Sequence, residues 1–358
     1  MSVYIDFHVL QTVPPSCVNR DDTGSPKTAV YGGAVRARVS SQAWKHAMRE
    51  EFKNEFEIGY RTKYIKKAIA NKVQSFSPDL INNEIEKTVE KILKTKLKEN
   101  GKQKAWFEFE DDEKTKALFF ISNKQIEKFA ELLISNEEDI KKYRDALKDN
   151  PSVDIALFGR MAASDPTLNF DAAAQVAHAI STHAVQNEYD YFTAVDDLQK
   201  DDNAGAGHLG TVEFNSSTLY RYATVNASEL SETLGRECVA EVVKKFGQAF
   251  ICSMPTGKEN TFANRTFPDT VYITIRNDQP VNLCGAFEAP IRRSENGYAE
   301  TSEKRLAEYA EKIYARFAAK PVRAFCISDS FGGTAVSLPL NELLAELEKA
   351  VDAELNEV

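Results

Sequence analysis

The chain has 358 residues, of which 42% are hydrophobic, and a formal net charge of −9. This length supports a full core with two or more structural parts, and the composition is that of a soluble globular protein. The acidic balance argues against bulk, non-specific attraction to nucleic acid, although a local basic surface remains compatible with it. No apolar run approaches the ~20 residues of a membrane span, and the first residues form a strand pattern rather than a signal peptide. We expect a cytoplasmic protein without a membrane partner.

The residue types that most often carry catalysis or hold metals are dispersed. The five cysteines form no C-x-x-C pair, which argues against a disulfide framework or structural zinc site and favours a reducing compartment. Cys17 has no identifiable histidine partner and is interpreted as structural. The sequence contains no P-loop, no G-x-S-x-G and no H-E-x-x-H motif. We therefore expect no cofactor, no metal and no enzymatic activity.

The first elements are a strand, a loop and a capped helix. Residues 3–10 alternate as a half-buried strand, on which His8 is interpreted as a sheet-face residue. A loop rich in turn residues follows at 17–27 and leads to a glycine turn at 32–33 and a short basic strand. Ser40 or Ser41 then supplies the N-cap of an amphipathic helix.

That helix start has the properties of an anion site. Gln42, Lys45 and Arg49 share one face, while an apolar face would dock on a sheet; it consists of Trp44, Ala47, Met48 and Phe52. Amide groups, the positive end of the helix dipole and nearby cations together favour a polyanion. An ordinary capped surface helix with solvated cations is the alternative. The surrounding segment is basic, with Arg20, Lys27, Arg36, Arg38, Lys45 and Arg49 against only Asp21 and Asp22.

The remaining elements define the fold class. Residues 60–150 have helical periodicity, with a capping box predicted at Ser122 and Gln125. A strand and turn are predicted at 154–164, a helix at 171–185, a hairpin at 189–211 with an acidic, glycine-rich tip, and two strands at 212–214 and 219–225. Without the insertions, the order strand, helix, two strands, helix, strand is the ferredoxin-like plan, whose open sheet face commonly binds RNA.

Five blocks, in order along the chain, together resemble a known family. They read HVLQTVPPSCVNRDD, VYGGAVRARVSSQAWKHAMR, DIALFGRMAAS, AHAISTHAVQNEYDYFTAVDDLQ and HLGTVEFNSSTLYRYATVN. Their sequences are similar to those of CasC, the backbone subunit of the type I-E CRISPR Cascade complex. The resemblance is weakest between residues 60 and 150 and after residue 292.

The resemblance implies an α+β fold with an RRM-like (ferredoxin-like) palm, a helical fingers insertion and a protruding β-hairpin thumb. On this sequence the palm covers residues 1–59, 151–185 and 215–358, the fingers 60–150 and the thumb 186–214. It also implies that copies, about six in the family, stack head-to-tail along a CRISPR RNA and leave guide bases able to pair with a target DNA strand. Further partners would be the large subunit, the small subunit, the five-prime-end cap subunit and the CRISPR RNA endonuclease subunit.

The resemblance also implies site residues. The RNA-backbone contacts of the family fall at Arg20, Lys27, Ser40, Gln42, Lys45 and Arg49, and Arg38 of the basic strand completes the predicted RNA-binding set. Met161 matches the methionine that packs beside the RNA at the palm. The thumb wedge around a displaced nucleotide would consist of Phe192, Thr193, His208 and Leu209. The sequence departs from the family at His46, where arginine is common, and at Ala34-Val35, which replace basic residues.

Two alternatives remain open at this point. Related backbone subunits of type III complexes cut target RNA with a loop aspartate; this sequence has Lys27-Thr28-Ala29 near the corresponding place, with Asp21 and Asp22 earlier. Separately, the acidic doublets at 21–22, 196–197 and 201–202 could hold magnesium for metal-dependent cleavage. Aspartates that form turns in loops are the simpler interpretation. A stand-alone ferredoxin-like protein that binds no nucleic acid is the other alternative.

Overall fold

A computed structural model describes residues 2–99, 102–162, 165–194 and 208–357, and it gives the backbone alone for residues 98–99, 102–104, 194 and 208–209. The chain divides into two compact units. The first comprises residues 1–51, 175–228 and 243–358, and the second comprises residues 52–174 and 229–242. The predicted fingers segment, 60–150, lies within the second unit. The predicted palm and thumb boundaries stay predictions, since the two units divide the chain at other residues.

The elements are as follows. The strands are β1 (Tyr4–Ser16), β2 (Thr28–Tyr31), β3 (Ala34–Val39), β4 (Tyr60–Thr62), β5 (Lys96–Glu99), β6 (Lys102–Ala105), β7 (Phe119–Ile121), β8 (Ala174–Val176), β9 (Ala179–Ser181), β10 (Glu188–Ala194), β11 (His208–Asn226), β12 (Thr270–Arg276), β13 (Arg323–Ile327) and β14 (Val336–Ser337). The helices are α1 (Ser41–Phe52), α2 (Ile65–Phe76), α3 (Asn82–Leu93), α4 (Asn123–Ile134), α5 (Ile140–Lys148), α6 (Val153–Phe158), α7 (Ala227–Leu234), α8 (Val239–Cys252), α9 (Glu259–Phe262), α10 (Ala299–Arg316) and α11 (Leu340–Glu357). Within the described ranges no helix combines the length and apolarity of a membrane span.

A large, mostly antiparallel sheet organises the first unit. Its strands run in the order β14-β13-β12-β1-β11-β9-β3-β2, and β8 and β10 also pair with β11. The central strand β1 pairs antiparallel with β11 and β12, so that Phe7 lies opposite Ala223 on one side and Ile273 on the other. The chain enters the sheet at β1, adds β9 and β11 on one side, and returns through α8 to add β12 on the other.

Strand β1 is buried on both faces, whereas its alternation predicted a half-buried strand. Phe7 packs against Phe246 and Phe250 of α8, with ring centroids 5.4 and 6.2 Å apart. The opposite face belongs to a second cluster that includes Leu10 of β1 and Leu306 of α10. Helices therefore cover both faces of the sheet centre, and the expected open RNA platform is absent at this strand.

The covered face encloses two titratable side chains of β1. His8 Nδ1 lies 2.9 Å from the Tyr220 hydroxyl, and burial, followed by the positive charge of Arg276, lowers the pKa of His8 to about 3. Asp6 accepts hydrogen bonds from the Val281 N–H and the Tyr222 hydroxyl, both at 2.8 Å, yet burial raises the pKa of Asp6 to about 6. His8 is therefore a neutral, buried sheet-face residue, as predicted.

The turn between β2 and β3 requires glycine. Gly32 and Gly33 both have positive φ, 57° and 74°, as expected for a two-residue turn that matches strand twist. A Cβ on Gly32 would overlap the backbone carbonyl of Glu288, while one on Gly33 would meet open space. The predicted glycine turn is confirmed, and it fixes the register of β3 ahead of helix α1.

The second unit has its own core, built from the apolar faces of α2, α3, α4 and α5. The predicted capping box at Ser122 and Gln125 is present at the start of α4. Arg160 is buried within this unit and donates to the carbonyl oxygens of Leu168 (2.8 Å), Phe120 (3.0 Å) and Leu147 (2.6 Å). Burial lowers the pKa of Arg160 to about 10, so its guanidinium stays charged at neutral pH and ties three segments together.

Three secondary-structure predictions are wrong. Residues 153–158 form helix α6 rather than a strand, with Gly159 at positive φ ending the helix. The alanine-rich stretch 171–185 contains β8 and β9 instead of a helix, because these short strands pair with β11 and β3. The two strands predicted at 212–214 and 219–225 are parts of the single long strand β11.

Candidate nucleic-acid interface

Helix α1 begins with a capped, positively polarised first turn. Ser40 is the N-cap: its Oγ accepts from the Ala43 N–H at 3.3 Å, and its carbonyl oxygen accepts from Ala43 and Trp44 at 3.0 and 3.2 Å. The first turn contains no acidic residue, and Arg49 occupies the last turn. The positive end of the helix dipole is therefore not offset by a carboxylate of its own turn, which suits an anionic ligand.

The two predicted faces of α1 are present. On the apolar face Trp44 and Met48 are 1% and 0% exposed, and Ala47 and Phe52 are buried with them. On the other face Gln42 is exposed and Lys45 and Arg49 are half-buried. The helix thus presents its amide and cationic side chains away from the core, one and two turns beyond the N-cap.

A buried arginine fixes α1 against the sheet. The guanidinium carbon of Arg221, on β11, lies 3.7 Å from the centroid of the Trp44 ring. Arg221 also donates to Gln11 Oε1 on β1 (2.6 Å) and to the carbonyl oxygen of Phe250 on α8. Burial lowers the pKa of Arg221 to about 9. Arg221 thus joins Trp44 of α1 to β1, β11 and α8, and these contacts hold α1 in a fixed orientation.

The loop before β2 is held against the helix start. Asn19 Oδ1 accepts from the Ser40 N–H at 2.9 Å, and the Asn19 carbonyl accepts from the Lys27 N–H at 2.8 Å. Arg20 pairs with Pro26 in an isolated antiparallel bridge. Asn19 therefore links the loop to the N-cap residue Ser40. The two predicted cations of the loop lie close to it: Arg20 is the next residue, and Lys27 bonds to its carbonyl oxygen. Asn19 is a positioning residue that sequence reasoning missed.

Asp21 closes the tip of this loop. Its Oδ1 accepts from the Thr23 hydroxyl (2.7 Å), the Thr23 N–H (2.9 Å) and the Ser25 N–H (3.1 Å). The hydrogen bond from the Thr23 side chain is the largest cause that lowers the pKa of Asp21. Asp21 thus stabilises a turn, the simpler of the two interpretations for this doublet. Among the described residues no group of three His, Cys, Asp or Glu side chains could hold a metal.

Arg38 extends the cationic surface onto β3. Its N–H donates to the Lys27 carbonyl (2.9 Å), and its Nε donates to the Thr28 carbonyl (3.3 Å). Its Nη1 lies 3.1 Å from Nδ1 of His178, which precedes β9. Burial, then the charges of Arg38 and Lys27, lower the pKa of His178. Lys27 and Arg38 thus place two positive charges near the His178 ring.

Arg36, two residues earlier, is not part of this surface. It is fully buried and donates to the carbonyl oxygens of Ser181 (2.8 Å), Phe287 (2.9 Å) and Glu288 (3.1 Å). The basic segment of the sequence therefore contains both structural and exposed cations, and residue type alone does not separate them.

A cleft of about 750 Å³ adjoins the loop and α1. Its lining combines the cations Arg20 and Arg265 with four carboxylates, those of Asp21, Asp22, Glu50 and Glu51. The positive surface formed by Lys27, Arg38 and the helix start thus borders a cleft of mixed charge.

The predicted thumb contains an antiparallel pair, β10 with β11. Phe192 lies opposite Gly210, and Thr193 opposite Leu209. The Phe192 ring occupies the space where a Cβ on Gly210 would stand, and it is 46% exposed. Of the predicted wedge, the structure describes the side chains of Phe192 and Thr193 and the pairing of His208 and Leu209. The doublets at 196–197 and 201–202 lie outside the described residues.

Met161 belongs to the second unit. It follows the buried Arg160 and is itself 83% exposed, an unusual exposure for a large apolar side chain. The next residue is fixed, because the Ala162 N–H donates to Asn169 Oδ1 at 2.6 Å. The local backbone therefore holds Met161 outward from its own unit.

The five cysteines are all reduced thiols. Burial raises the pKa of the Cys17 thiol, so it is protonated and unreactive at neutral pH. This agrees with its interpretation as a structural residue of the loop.

The fold and this surface define a class: a mixed α/β protein with a large, mostly antiparallel sheet and a cationic, capped helix start at its side. The model of the family described as CT1975-like protein matches residues 5–351, and the chain belongs to this family. No curated protein matches the sequence.

Two solved structures are similar along nearly the whole chain. One, described as "CRISPR RNA-guided surveillance complex, pre-nicking", contains a chain with 31% identity and a TM-score of 0.84, over 98% of this chain and 99% of that one. Another, described as "CRISPR RNA-guided surveillance complex", has 28% identity and a TM-score of 0.64, over 97% of this chain and 99% of that one. The similarity therefore includes both compact units.

Proposed function

We propose that this chain is the CRISPR RNA-binding backbone subunit of a type I-E Cascade complex, in which it polymerises along the guide RNA and presents it to a target DNA strand. The observation that carries the proposal is the similarity, over 98% of the chain at 31% identity, to a chain of a CRISPR RNA-guided surveillance complex. Family membership over residues 5–351 supports the same assignment.

The chemistry of the interface supports RNA-backbone binding. The helix amides, the Ser40 hydroxyl and the Gln42 amide are donors, and Lys27, Arg38 and Lys45 add charge. Donors and cations of this kind bind phosphate oxygens without reading base identity. A guide-binding subunit needs this property, because the guide sequence varies while the protein does not. Arg20 and Arg49 complete the proposed contact set.

The topology supports an RRM-like palm. The order β12-β1-β11-β9, with α1 after β1 and α8 between β11 and β12, follows the ferredoxin-like plan once the inserted segments are set aside. The β10–β11 pair supports a thumb, and the exposed Phe192 ring suits a wedge that replaces lost base stacking. Unstacking a base costs a few kcal/mol, which apolar and aromatic contacts offset. Thr193, His208 and Leu209 complete this wedge.

Further parts of the proposal concern Met161 and the assembly. Met161 packs beside the RNA, and copies of the chain contact one another and the other Cascade subunits in the cytoplasm. The chain itself has no catalytic role. The turn-forming hydrogen bonds of Asp21 support a structural role for this one aspartate of the three acidic doublets.

Charge reversal on α1 tests the phosphate contacts. Complexes assembled by co-expression with the other subunits and a CRISPR array would carry either Lys45→Glu or Lys124→Glu, two substitutions with the same charge change. Lys124 is exposed on α4, in the second unit. We expect Lys45→Glu to reduce the RNA content per complex for every guide sequence and Lys124→Glu to leave it unchanged. Equal RNA content in the two preparations would contradict the proposed site.

A cleavage assay tests the non-catalytic role. Guide-matched RNA incubated with the assembled complex and magnesium should remain intact. Regularly spaced cuts that disappear with a chelator would instead establish metal-dependent RNA cleavage by the backbone.

A further inference from the structure

The strand pair β3–β9 brings together two side chains that are 140 residues apart in sequence. Arg38 lies opposite Ile180 in the β3–β9 register, and His178 stands just before β9. The backbone on both sides is fixed: the Arg38 N–H donates to Lys27, and the Ala177 N–H donates to the Tyr222 carbonyl, both at 2.9 Å. The contact between Nη1 of Arg38 and Nδ1 of His178, at 3.1 Å, is therefore supported by the sheet.

The contact determines the tautomer of His178. Arg38 can only donate, so Nδ1 of His178 accepts and the proton of the neutral ring is on Nε2. The charged groups that face the ring are Arg38 from β3 and Lys27 from the segment before β2, and both, after burial, hold its pKa below the ordinary histidine value. At neutral pH the pair thus presents a charged guanidinium beside a neutral imidazole that carries a donor at Nε2, on a residue that is exposed.

The guanidinium keeps capacity for a ligand. Its hydrogen bonds to the Thr28 carbonyl and to His178 use two of its five N–H donors. Both contacts restrain a long side chain that would otherwise lose rotamer freedom on binding. Arg38 is thereby pre-organised, in the same way that outer hydrogen bonds orient ligating side chains at other sites.

We infer that Arg38 and His178 form a composite site for one phosphodiester of single-stranded nucleic acid, in which the guanidinium binds one phosphate oxygen and Nε2–H of His178 donates to the other. This inference rests on the proposed RNA-binding function and adds His178 to its contacts. The site requires both functions of the imidazole: Nδ1 orients Arg38, and Nε2 contacts the phosphate.

Three substitutions at residue 178 separate these functions. His178→Asn keeps an acceptor near the position of Nδ1, His178→Gln keeps a donor near the position of Nε2, and His178→Ala removes both. With a labelled single-stranded RNA at pH 8, we expect His178→Ala to weaken binding about ten- to a hundredfold, as for one lost hydrogen bond to a charged group, and the other two variants to fall between it and wild type. Thermal melting of each variant checks that the fold is intact.

A double-mutant cycle tests whether the residues share one ligand group. If they do, Arg38→Ala and Arg38→Ala/His178→Ala should bind RNA equally within about twofold, because the histidine has lost its partner and its phosphate. Because Nδ1 must accept from Arg38 in the bound state, protonation of His178 removes that contact, so the advantage of wild type over His178→Ala should shrink as the pH falls from 8 to 5. A histidine that only orients Arg38 would also be coupled to it, but His178→Asn would then match wild type and His178→Gln would match His178→Ala.

The outcomes distinguish failure of the composite site from failure of the proposed function. If wild type binds RNA and Lys45→Glu weakens binding, but the His178 variants match wild type at both pH values or their losses add fully to that of Arg38→Ala, the composite site is wrong. If wild type itself does not bind RNA, within or outside the complex, the proposed function fails first.

Discussion

Salt dependence of RNA binding gives the most quantitative prediction for the cationic surface. The proposed contacts include five cations, Arg20, Lys27, Arg38, Lys45 and Arg49, on the loop, β3 and α1. Each phosphate neutralised on a single strand contributes about 0.7 to the slope of log affinity against log salt, so one subunit should show a slope of about −3.5. Raising salt from about 0.1 to about 0.3 M should then weaken wild-type binding about 50-fold.

Removing one cation should change that slope by a predictable amount. Lys27→Gln should flatten it by about 0.7, so the same salt increase weakens binding only about 20-fold. The lost contact should also weaken binding at low salt by about ten- to a hundredfold, whatever the RNA sequence, as for a charge-assisted hydrogen bond worth about 1.5–3 kcal/mol. Fluorescence anisotropy with a short labelled RNA that accommodates one subunit measures both quantities.

Lys124→Gln is the matched control for this measurement, because it removes the same charge from an exposed position on α4. Parallel salt plots for Lys27→Gln and Lys124→Gln would refute the assignment of Lys27 to the interface. A Lys27→Gln effect that varied with RNA sequence would show that these contacts depend on the bases.

Two further predictions concern stability. Gly32→Ala should lower the free energy of unfolding by more than about 3 kcal/mol, because the new Cβ would overlap the Glu288 carbonyl and the residue would keep a positive φ. Gly33→Ala should lower it by only about 1–2 kcal/mol, because only the positive φ is unfavourable there. Denaturant unfolding compares the two variants, and equal losses would contradict the predicted steric overlap. In the second, the low pKa of buried His8 makes stability rise with pH between about 3 and 6.5, while the raised pKa of Asp6 makes stability fall between 3.8 and about 6, so the two slopes cancel from about pH 4 to 6. His8→Gln removes the contribution that rises with pH. As the pH increases from about 4 to 6, the stability of the variant relative to wild type should therefore fall by about 1.4 kcal/mol per pH unit. A difference between the two proteins that does not depend on pH, measured by denaturant unfolding, would show that His8 does not titrate in this way.

Local signals in the sequence predicted the helix start well. The N-cap at Ser40, the apolar face around Trp44 and the glycine turn depend on neighbours within one or two turns, and all are present. The same holds for the capping box of α4. Such features are specified by spacing, so one sequence suffices to find them.

Features that depend on distant pairing could not be predicted. The alanine-rich stretch at 171–185 favours helix by propensity, but pairing with β11 and β3 makes it two strands. Arg36 and Arg38 look equivalent in sequence, yet Arg36 is buried and donates to the carbonyl oxygens of residues 181, 287 and 288. His178 meets Arg38 only because β9 lies beside β3. No local pattern specifies these contacts.

Under the proposed function, many copies of this chain bind one guide RNA through its backbone. Co-expression with the other complex subunits and a CRISPR array, followed by native mass measurement of the purified product, tests it most directly. The expected product is a particle that contains one CRISPR RNA and several copies of this chain, with the copy number increasing when the guide is lengthened. A particle with a single copy, or an RNA-free product whose mass ignores guide length, would contradict it.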